Sequence, residues 1–332
     1  MKVTLLIFFA LASFVAFSQA PTPESLGYKH IVFQYKGENV DLLIASKRGE
    51  EDNEKPLFFF CQGSLPKPLI KYDDQGPYGI FPFNTDSLEN HYHVVIVGKP
   101  GVPLAAHKDE LGDNFMYFDS IGKIPTSYAD NNLLDYYVNR NKAIIKFLRK
   151  QDWVAQNKLI VAGHSEGSTI AAKMAVKIPW VTHLIYAGGN PMGRIMAIVQ
   201  RSRSLESDTD STHFGEDEFE YWERVVANKE SLDASQGDTH KATYEFSSPP
   251  FDHLMKLKIP VLVCYGTKDW SAPFNDYLRV EAIRQNKTNL EFKAYIGTEH
   301  NFFPVKEDGT PNYDEFNWDK VANDWLNWVE EK

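Results

Sequence analysis

Short apolar runs alternate with amphipathic stretches along most of the chain. His30–Tyr35 and Asn39–Ile44 flank Lys36-Gly37-Glu38, which predicts two strands joined by a tight turn at glycine. Pro56–Cys61 is apolar at every position. A strand that does not alternate has both faces buried, as in a parallel sheet. The same pattern returns at His93–Val97, Lys158–Ala162 and Pro260–Tyr265, and more weakly at Val181–Tyr186 and Leu290–Tyr295. Between these runs, Asn131–Lys150 places Leu133, Leu134, Tyr137, Ile144, Ile145 and Leu148 mostly at helical spacing. Ser168–Val176 is rich in alanine, and Pro273–Arg284 and Tyr313–Val329 are amphipathic. A hairpin followed by this alternation predicts an α/β fold: a mostly parallel central sheet with helices on both faces.

One segment breaks the rhythm. Gly189–Asp252 contains no strand pattern, while Met192–Ser202 and Glu216–Lys229 read as helices. The segment is too long for an ordinary connection, so a helical cap is expected at about residues 190–252. Gly63–Asn90 and Lys99–Asp130 are also long and rich in Pro, Gly, Tyr and Asp. In open α/β sheets the site lies beyond the strand ends, so these loops are expected to wall a pocket. Their aromatic residues Tyr72, Tyr78, Phe81, Phe83, Tyr117 and Phe118 fit two roles. They either contact an aromatic or glycan ester, or pack the loops onto the body.

The first residues, Met1 to Ala20, place one lysine ahead of an apolar run that ends in small residues. This is the layout of a secretory signal peptide, expected over residues 1–18, with cleavage favoured after Ser18 by the small residues Ala16 and Ser18. The apolar stretch is too short for a confident membrane span. The reading is an exported chain, periplasmic or secreted, without stable membrane insertion after signal removal, whose residues 19–332 form the folded domain with its insertion. The net charge of −10, with no basic block, argues against nucleic acid and against anionic membrane surfaces. Cys61 and Cys264 form an even pair that permits one disulfide in an oxidising compartment. Both lie inside apolar strand-like runs, so buried free thiols are expected.

The chemistry concentrates at strand ends. Leu159–Ala162 runs into Gly163-His164-Ser165-Glu166-Gly167 and then into the Ala-rich stretch. A serine on a sharp strand-to-helix turn stands free above a sheet, with glycines two before and two after leaving room for the close approach. Ser165 is therefore the candidate nucleophile. A serine hydroxyl needs a base, and the base needs an orienting acid. Val263–Tyr265 ends in Gly266-Thr267-Lys268-Asp269, which makes Asp269 the candidate acid. The end of the preceding strand, Tyr186–Asn190, offers no carboxylate. The last strand leads through Gly297-Thr298-Glu299 to His300, the candidate base and the one histidine beyond that strand. A tetrahedral oxyanion needs two backbone donors. These are expected from Glu166, after the nucleophile, and from Ser64 in Cys61-Gln62-Gly63-Ser64.

Other features carry less. His91 and His93 flank a strand without a third ligand nearby. His164 is expected to shape the turn, and His213, His240 and His253 to lie on the insertion. The run from Asp208 fails the calcium-loop pattern, with His213 at the sixth place and Phe219 at the twelfth. Glu216-Asp217-Glu218 suits a helix N-terminus.

On these motifs the chain resembles the α/β-hydrolase superfamily from about His30 to the C-terminus. The resemblance implies its sheet order, a cap and acyl transfer without a cofactor or metal; it does not imply a substrate. That superfamily often has His-Gly where this chain has Gln62-Gly63. The function expected is an exported serine hydrolase acting on a small-molecule or acylated carboxylic ester. The alternatives are a peptidase of prolyl-oligopeptidase type, with Glu216, Asp217, Glu218 and Glu220 anchoring a substrate amine, and a non-catalytic binding protein on the same fold.

Overall fold

In a computed structural model, which describes residues 20–207, 213–234 and 237–332, the chain begins with the expected hairpin. Strands β1 (Tyr28–Tyr35) and β2 (Glu38–Ala45) pair antiparallel. The turn between them places Lys36 and Gly37 at φ 51° and 86°, the double left-handed geometry that suits the twist of a two-residue hairpin. The leader at residues 1–18 and the Asp208–Thr212 run lie outside the described residues.

β3 (Lys55–Cys61) enters the centre of the sheet. The long segment after it holds β4 (Ile70–Asp73), β5 (Gly76–Pro77) and α1 (Asp86–Glu89) before β6 (His93–Val97). β7 (Ala105–His107) pairs with β4 to complete a separate three-stranded sheet of order β5-β4-β7. Strands of two to four residues leave no readable period, which is why the sequence presents this region as loop. The predicted helix at Asn131–Lys150 divides into α2 (Thr126–Asn131) and α3 (Leu134–Leu148). Asn132 and Leu133 leave the helical region there, and the Asn132 side chain binds the Tyr137 hydroxyl at 3.1 Å and Asp238 at 3.2 Å. An asparagine that hydrogen-bonds sideways competes with the helix for its own backbone.

β8 (Val154–His164), α4 (Glu166–Lys177) and β9 (His183–Ala187) form the central unit. Four helices follow without a strand: α5 (Arg194–Arg203), α6 (Phe214–Ala227), α7 (His240–Phe246) and α8 (Phe251–Lys256). Two of these, α7 and α8, are short and were not expected. β10 (Val261–Gly266), α9 (Ala272–Arg284), β11 (Leu290–Tyr295) and α10 (Trp318–Glu330) complete the chain.

The main sheet has the order β1-β2-β6-β3-β8-β9-β10-β11. β2 is antiparallel to β6, and every pairing from β6 to β11 is parallel. The strands are apolar throughout because each face feeds a different core. Leu57, Phe59, Val161 and Val263 face α3, α4 and α9, while Phe58, Phe60, Ile160 and Cys264 face α10. α10 presents Trp318, Val321, Ala322, Trp325, Trp328 and Val329, spaced by three and four along one stripe. Burying each large ring there contributes about 2–3 kcal/mol relative to exposure. Cys61 and Cys264 are buried free thiols on opposite faces of the sheet, each pushed up to about 12 first of all by burial.

β3 neighbours β6 on one side and β8 on the other, so chain direction across the sheet reverses at β3. Such a reversal opens a crevice beyond the strand ends. The segments that leave β3 and β8 there carry Gly63-Ser64 and Ser165.

Candidate active site

Ser165 sits at φ 56°, ψ −127°, a conformation that costs a non-glycine residue strain. Its neighbours make the turn possible. A Cβ on Gly163 would lie 2.1 Å from the Gly167 carbonyl oxygen, and one on Gly167 would lie 2.0 Å from that of Cys61. Backbone therefore packs on backbone between β3, β8 and α4, and both positions require glycine. The strained residue is tied down by its own polar groups. Its N–H donates to the Ala187 carbonyl at 3.0 Å, and its carbonyl accepts from the Ser168 amide at 3.0 Å and hydroxyl at 2.6 Å.

β10 ends at Gly266, where a Cβ would lie 2.3 Å from the Thr298 carbonyl oxygen. That close approach lets the loop carrying His300 lie over the turn carrying Asp269. His300 Nδ1 is 2.9 Å from Asp269 Oδ2, and His300 Nε2 is 2.9 Å from Ser165 Oγ. With Nδ1–H donating to the carboxylate, Nε2 is left to accept from the serine hydroxyl. The Asp269 side chain is 1% exposed, and Oδ1 accepts the Ser271 amide at 3.0 Å. Burial by itself would lower the His300 pKa. The hydrogen bond and charge of Asp269, with the charge of Glu299, outweigh it and hold the pKa above the usual histidine value. The structure thus joins the three sequence candidates in one hydrogen-bonded chain.

His164 lies under that chain. Its ring meets Trp318 edge to face at 4.8 Å, and Nε2 is 2.9 Å from the His300 carbonyl oxygen. Burial, followed by repulsion from His300, lowers its pKa to about 3. It is a neutral donor that fixes the His300 loop. Gly63 passes beside the nucleophile, such that a Cβ there would lie 3.5 Å from Ser165 Cβ. Ser64 and Glu166, the expected oxyanion donors, both line the cleft at Ser165. Glu166 opens α4, so its amide lacks an intrahelical acceptor.

That cleft measures about 340 Å³, and its far wall is supplied by the insertion through Arg194, Ile198, Arg201 and Phe246. A larger cleft of about 660 Å³ meets it at His300 and includes Asp269, Trp270, Lys306 and Pro311. Ser165 lines only the smaller one, which is therefore where acyl chemistry can occur.

The structure decides between the two roles open to the loop aromatics, and it does not bring the suggested amine anchor to the site. The loop aromatics line neither cleft. Phe81 and Phe83 are buried in the α10 core, Tyr72 packs edge to face on His107, Tyr78 packs on Phe115, and Phe118 covers Gly112. Phe81 and Phe83 hold their segment to the body, and Tyr72, Tyr78 and Phe118 pack the loops on themselves and on one another. The acids considered as an amine anchor also turn away: Glu216 pairs with Arg203 and Glu218 accepts the Ser202 hydroxyl at 2.8 Å. None of Glu216, Asp217, Glu218 and Glu220 lines the cleft at Ser165. Among the described residues no group of three metal-ligating side chains converges. His93 is a core residue with Nδ1 2.7 Å from Ser46 Oγ and Nε2 2.9 Å from the Asn53 carbonyl.

Sequence reasoning missed the charges behind the serine. Lys99 Nζ lies 3.2 Å from Glu166 Oε1, and the side chains are 2% and 3% exposed. Arg194 binds the other oxygen of Glu166 and, at 2.8 Å, Asp238 Oδ2. Glu166 was legible only as a backbone donor. Nothing in the sequence marks Lys99 and Arg194 as its partners.

The dienelactone hydrolase family model matches residues 229–332, which hold Asp269 and His300 but not Ser165. No curated protein matches the chain. Among solved structures it is similar to Est1E from Butyrivibrio proteoclasticus with ferulic acid bound, at 15% identity and TM-score 0.55, covering 91% of this chain and 98% of that one. It is similar to the Pyrococcus horikoshii acylaminoacyl peptidase at 13% identity and TM-score 0.52, covering 82% of this chain and 37% of that one. A puromycin-hydrolysing peptidase from Mycobacterium tuberculosis gives 13% identity and TM-score 0.53, covering 83% of this chain and 36% of that one. The chain thus spans little more than a third of either peptidase. These likenesses are likenesses of fold. The sheet order, the strained serine turn and the shared architecture together establish that the chain has the α/β-hydrolase fold.

Proposed function

We propose that the chain is an exported serine hydrolase that cleaves a carboxylic ester through an acyl-enzyme. The observation that carries this reading is the chain Ser165–His300–Asp269, with both links at 2.9 Å. Ser165 Oγ attacks the ester carbonyl while His300 Nε2 takes its proton. Asp269 holds the imidazole in the required tautomer and stabilises the imidazolium. The Ser64 and Glu166 amides receive the oxyanion. The tetrahedral intermediate collapses as His300 gives the proton to the leaving alcohol. Water, activated by the same histidine, then releases the acid and frees Ser165.

Ester is preferred to peptide because the cleft carries Arg194 and Arg201 on its insertion side. Arg194 and Lys99 already hold the cleft carboxylates Glu166 and Asp238, Arg201 repels a substrate ammonium, and the acids suggested as its anchor point elsewhere. Helices α5–α8 serve as the cap of this reading. Export rests on the apolar N-terminal segment at residues 1–18.

The test is a fluorophosphonate label followed by a substrate panel. Stoichiometric labelling of wild type and none of Ser165→Ala is expected, with p-nitrophenyl ester hydrolysis in that variant reduced by about 10⁴-fold or more. A chain that retains activity without Ser165 refutes the nucleophile. Aminoacyl p-nitroanilides turned over faster than p-nitrophenyl esters would favour the peptidase. No labelling and no turnover of either would favour the non-catalytic alternative.

A further inference from the structure

The nucleophile turn and the helical insertion meet at one buried carboxylate. Glu166 has two roles in one residue: its amide is a candidate oxyanion donor, and its side chain is locked between Lys99 and Arg194. Lys99 follows β6 and lies on the body, with its ammonium 4.8 Å from the centre of the Tyr137 ring. Arg194 is the first residue of α5, and it gathers three parts of the insertion. It belongs to α5 itself, it pairs with Asp238 ahead of α7, and its guanidinium stacks 4.5 Å from the Phe246 ring of α7.

We infer that Arg194 is a positioning residue: through Glu166 it fixes the oxyanion-donating amide of the nucleophile turn to the position of the insertion. The inference rests on the hydrolase reading above. The physical argument is one of constraint. Ser165 is held in a strained conformation, and the residue after it sets where its amide points. A carboxylate that is 3% exposed must keep its partners. Lys99 supplies one cation from the body and Arg194 a second from the insertion, one on each carboxylate oxygen. The carboxylate cannot rotate without breaking a buried ion pair, so the backbone that carries it is fixed from two sides. A guanidinium suits this bridging role better than an ammonium, because its planar fork binds Glu166 and Asp238 through separate nitrogens.

Arg194 also lines the cleft, so a rival role is direct contact with substrate. Kinetics separate the two. A positioning residue acts on the transition state and lowers kcat, whereas a substrate anchor raises KM.

The experiment compares wild type, Arg194→Gln, Arg194→Lys, Glu166→Gln and the Arg194→Gln/Glu166→Gln double variant. The assay uses p-nitrophenyl butyrate, with active sites counted by fluorophosphonate titration so that a partly unfolded sample does not count as a slow one. Arg194→Gln is expected to lower kcat per titrated site by roughly 10- to 100-fold, with KM changed by less than about threefold. Affinity for a trifluoromethyl ketone, which forms an oxyanion at the serine, is expected to fall by the same factor as kcat. The double variant should be no worse than the poorer single variant, because both act through one link. Arg194→Lys should recover part of the loss.

An unchanged kcat, a rise in KM alone, or fully multiplicative effects of the two substitutions would overturn the inference while leaving the hydrolase reading intact. If Arg194→Gln does not fold, Arg194→Lys and Glu166→Gln decide it by the same kcat and inhibitor readouts. A wild type that neither labels nor hydrolyses any ester overturns the hydrolase reading, and this inference with it.

Discussion

Two kinds of long connection leave the same end of the sheet, and they are built differently. The segments on either side of β6 carry many aromatic rings, and those rings pack inward: Phe81 and Phe83 join Phe60 and Trp325 beneath the sheet end. The insertion between β9 and β10 instead sends a charge from its first helix: Arg194 reaches the carboxylate beside Ser165, where it meets Lys99 from the foot of the segment after β6. The difference teaches what a pocket wall is made from. An aromatic ring is satisfied by any apolar neighbour, so the nearest core absorbs it. A charge that is mostly buried is satisfied only by a particular opposite charge, so it determines where its helix must dock.

The largest effect is expected where both connections are anchored, at the turn itself. Gly163→Ala forces a Cβ to 2.1 Å from a backbone oxygen that cannot move aside. It is expected to destabilise the chain by at least about 3 kcal/mol and to abolish activity, as read by thermal melting and ester hydrolysis. A stable and active Gly163→Ala would show that the turn has slack, and would remove the fixed base against which the connections are compared.

Next comes the proposed catalytic acid. Asp269→Asn should lower kcat by about 10³- to 10⁴-fold without a comparable loss of fold. It also tests the sign of the electrostatics. In the wild type the acid limb of the kcat/KM profile is expected to belong to His300, whose pKa is held up against burial chiefly by Asp269. Activity is lost as pH falls through that raised value. With the carboxylate neutralised, burial dominates and the limb should move to lower pH. A limb that stays in place would assign it to another group.

The smallest effect should fall on the aromatic connections. Tyr78 packs at a tilt on Phe115 and gives its hydroxyl to Asp73, away from either cleft. Tyr78→Ala should lower the melting temperature by a few degrees, for about 1–2 kcal/mol, and leave kcat/KM within about twofold. A large rise in KM would return these rings to the substrate and erase the contrast with the insertion.

Much of this was legible beforehand because strand-end chemistry is local. Apolar runs without alternation announced doubly buried strands, and Gly163, Ser165 and Gly167 announced a turn too tight for side chains. The elements that escaped were the short ones: the three-stranded sheet β5-β4-β7, the break at Asn132-Leu133 and the helices α7 and α8. Strands of two to four residues and helices of two turns or fewer have too few residues to show a period, and tertiary partners stabilise them.

The sequence by itself determined the α/β class and the order of Ser165, Asp269 and His300 along the chain, because hydrophobic period and glycine spacing are properties of neighbouring residues. Only the tertiary structure decided which distant charges meet. Lys99 and Glu166 are separated by 67 positions, and Glu166 and Arg194 by 28. No local pattern encodes such pairs. They exist because the sheet reverses direction at β3, the insertion folds back over the strand ends, and a carboxylate buried there must find its cations.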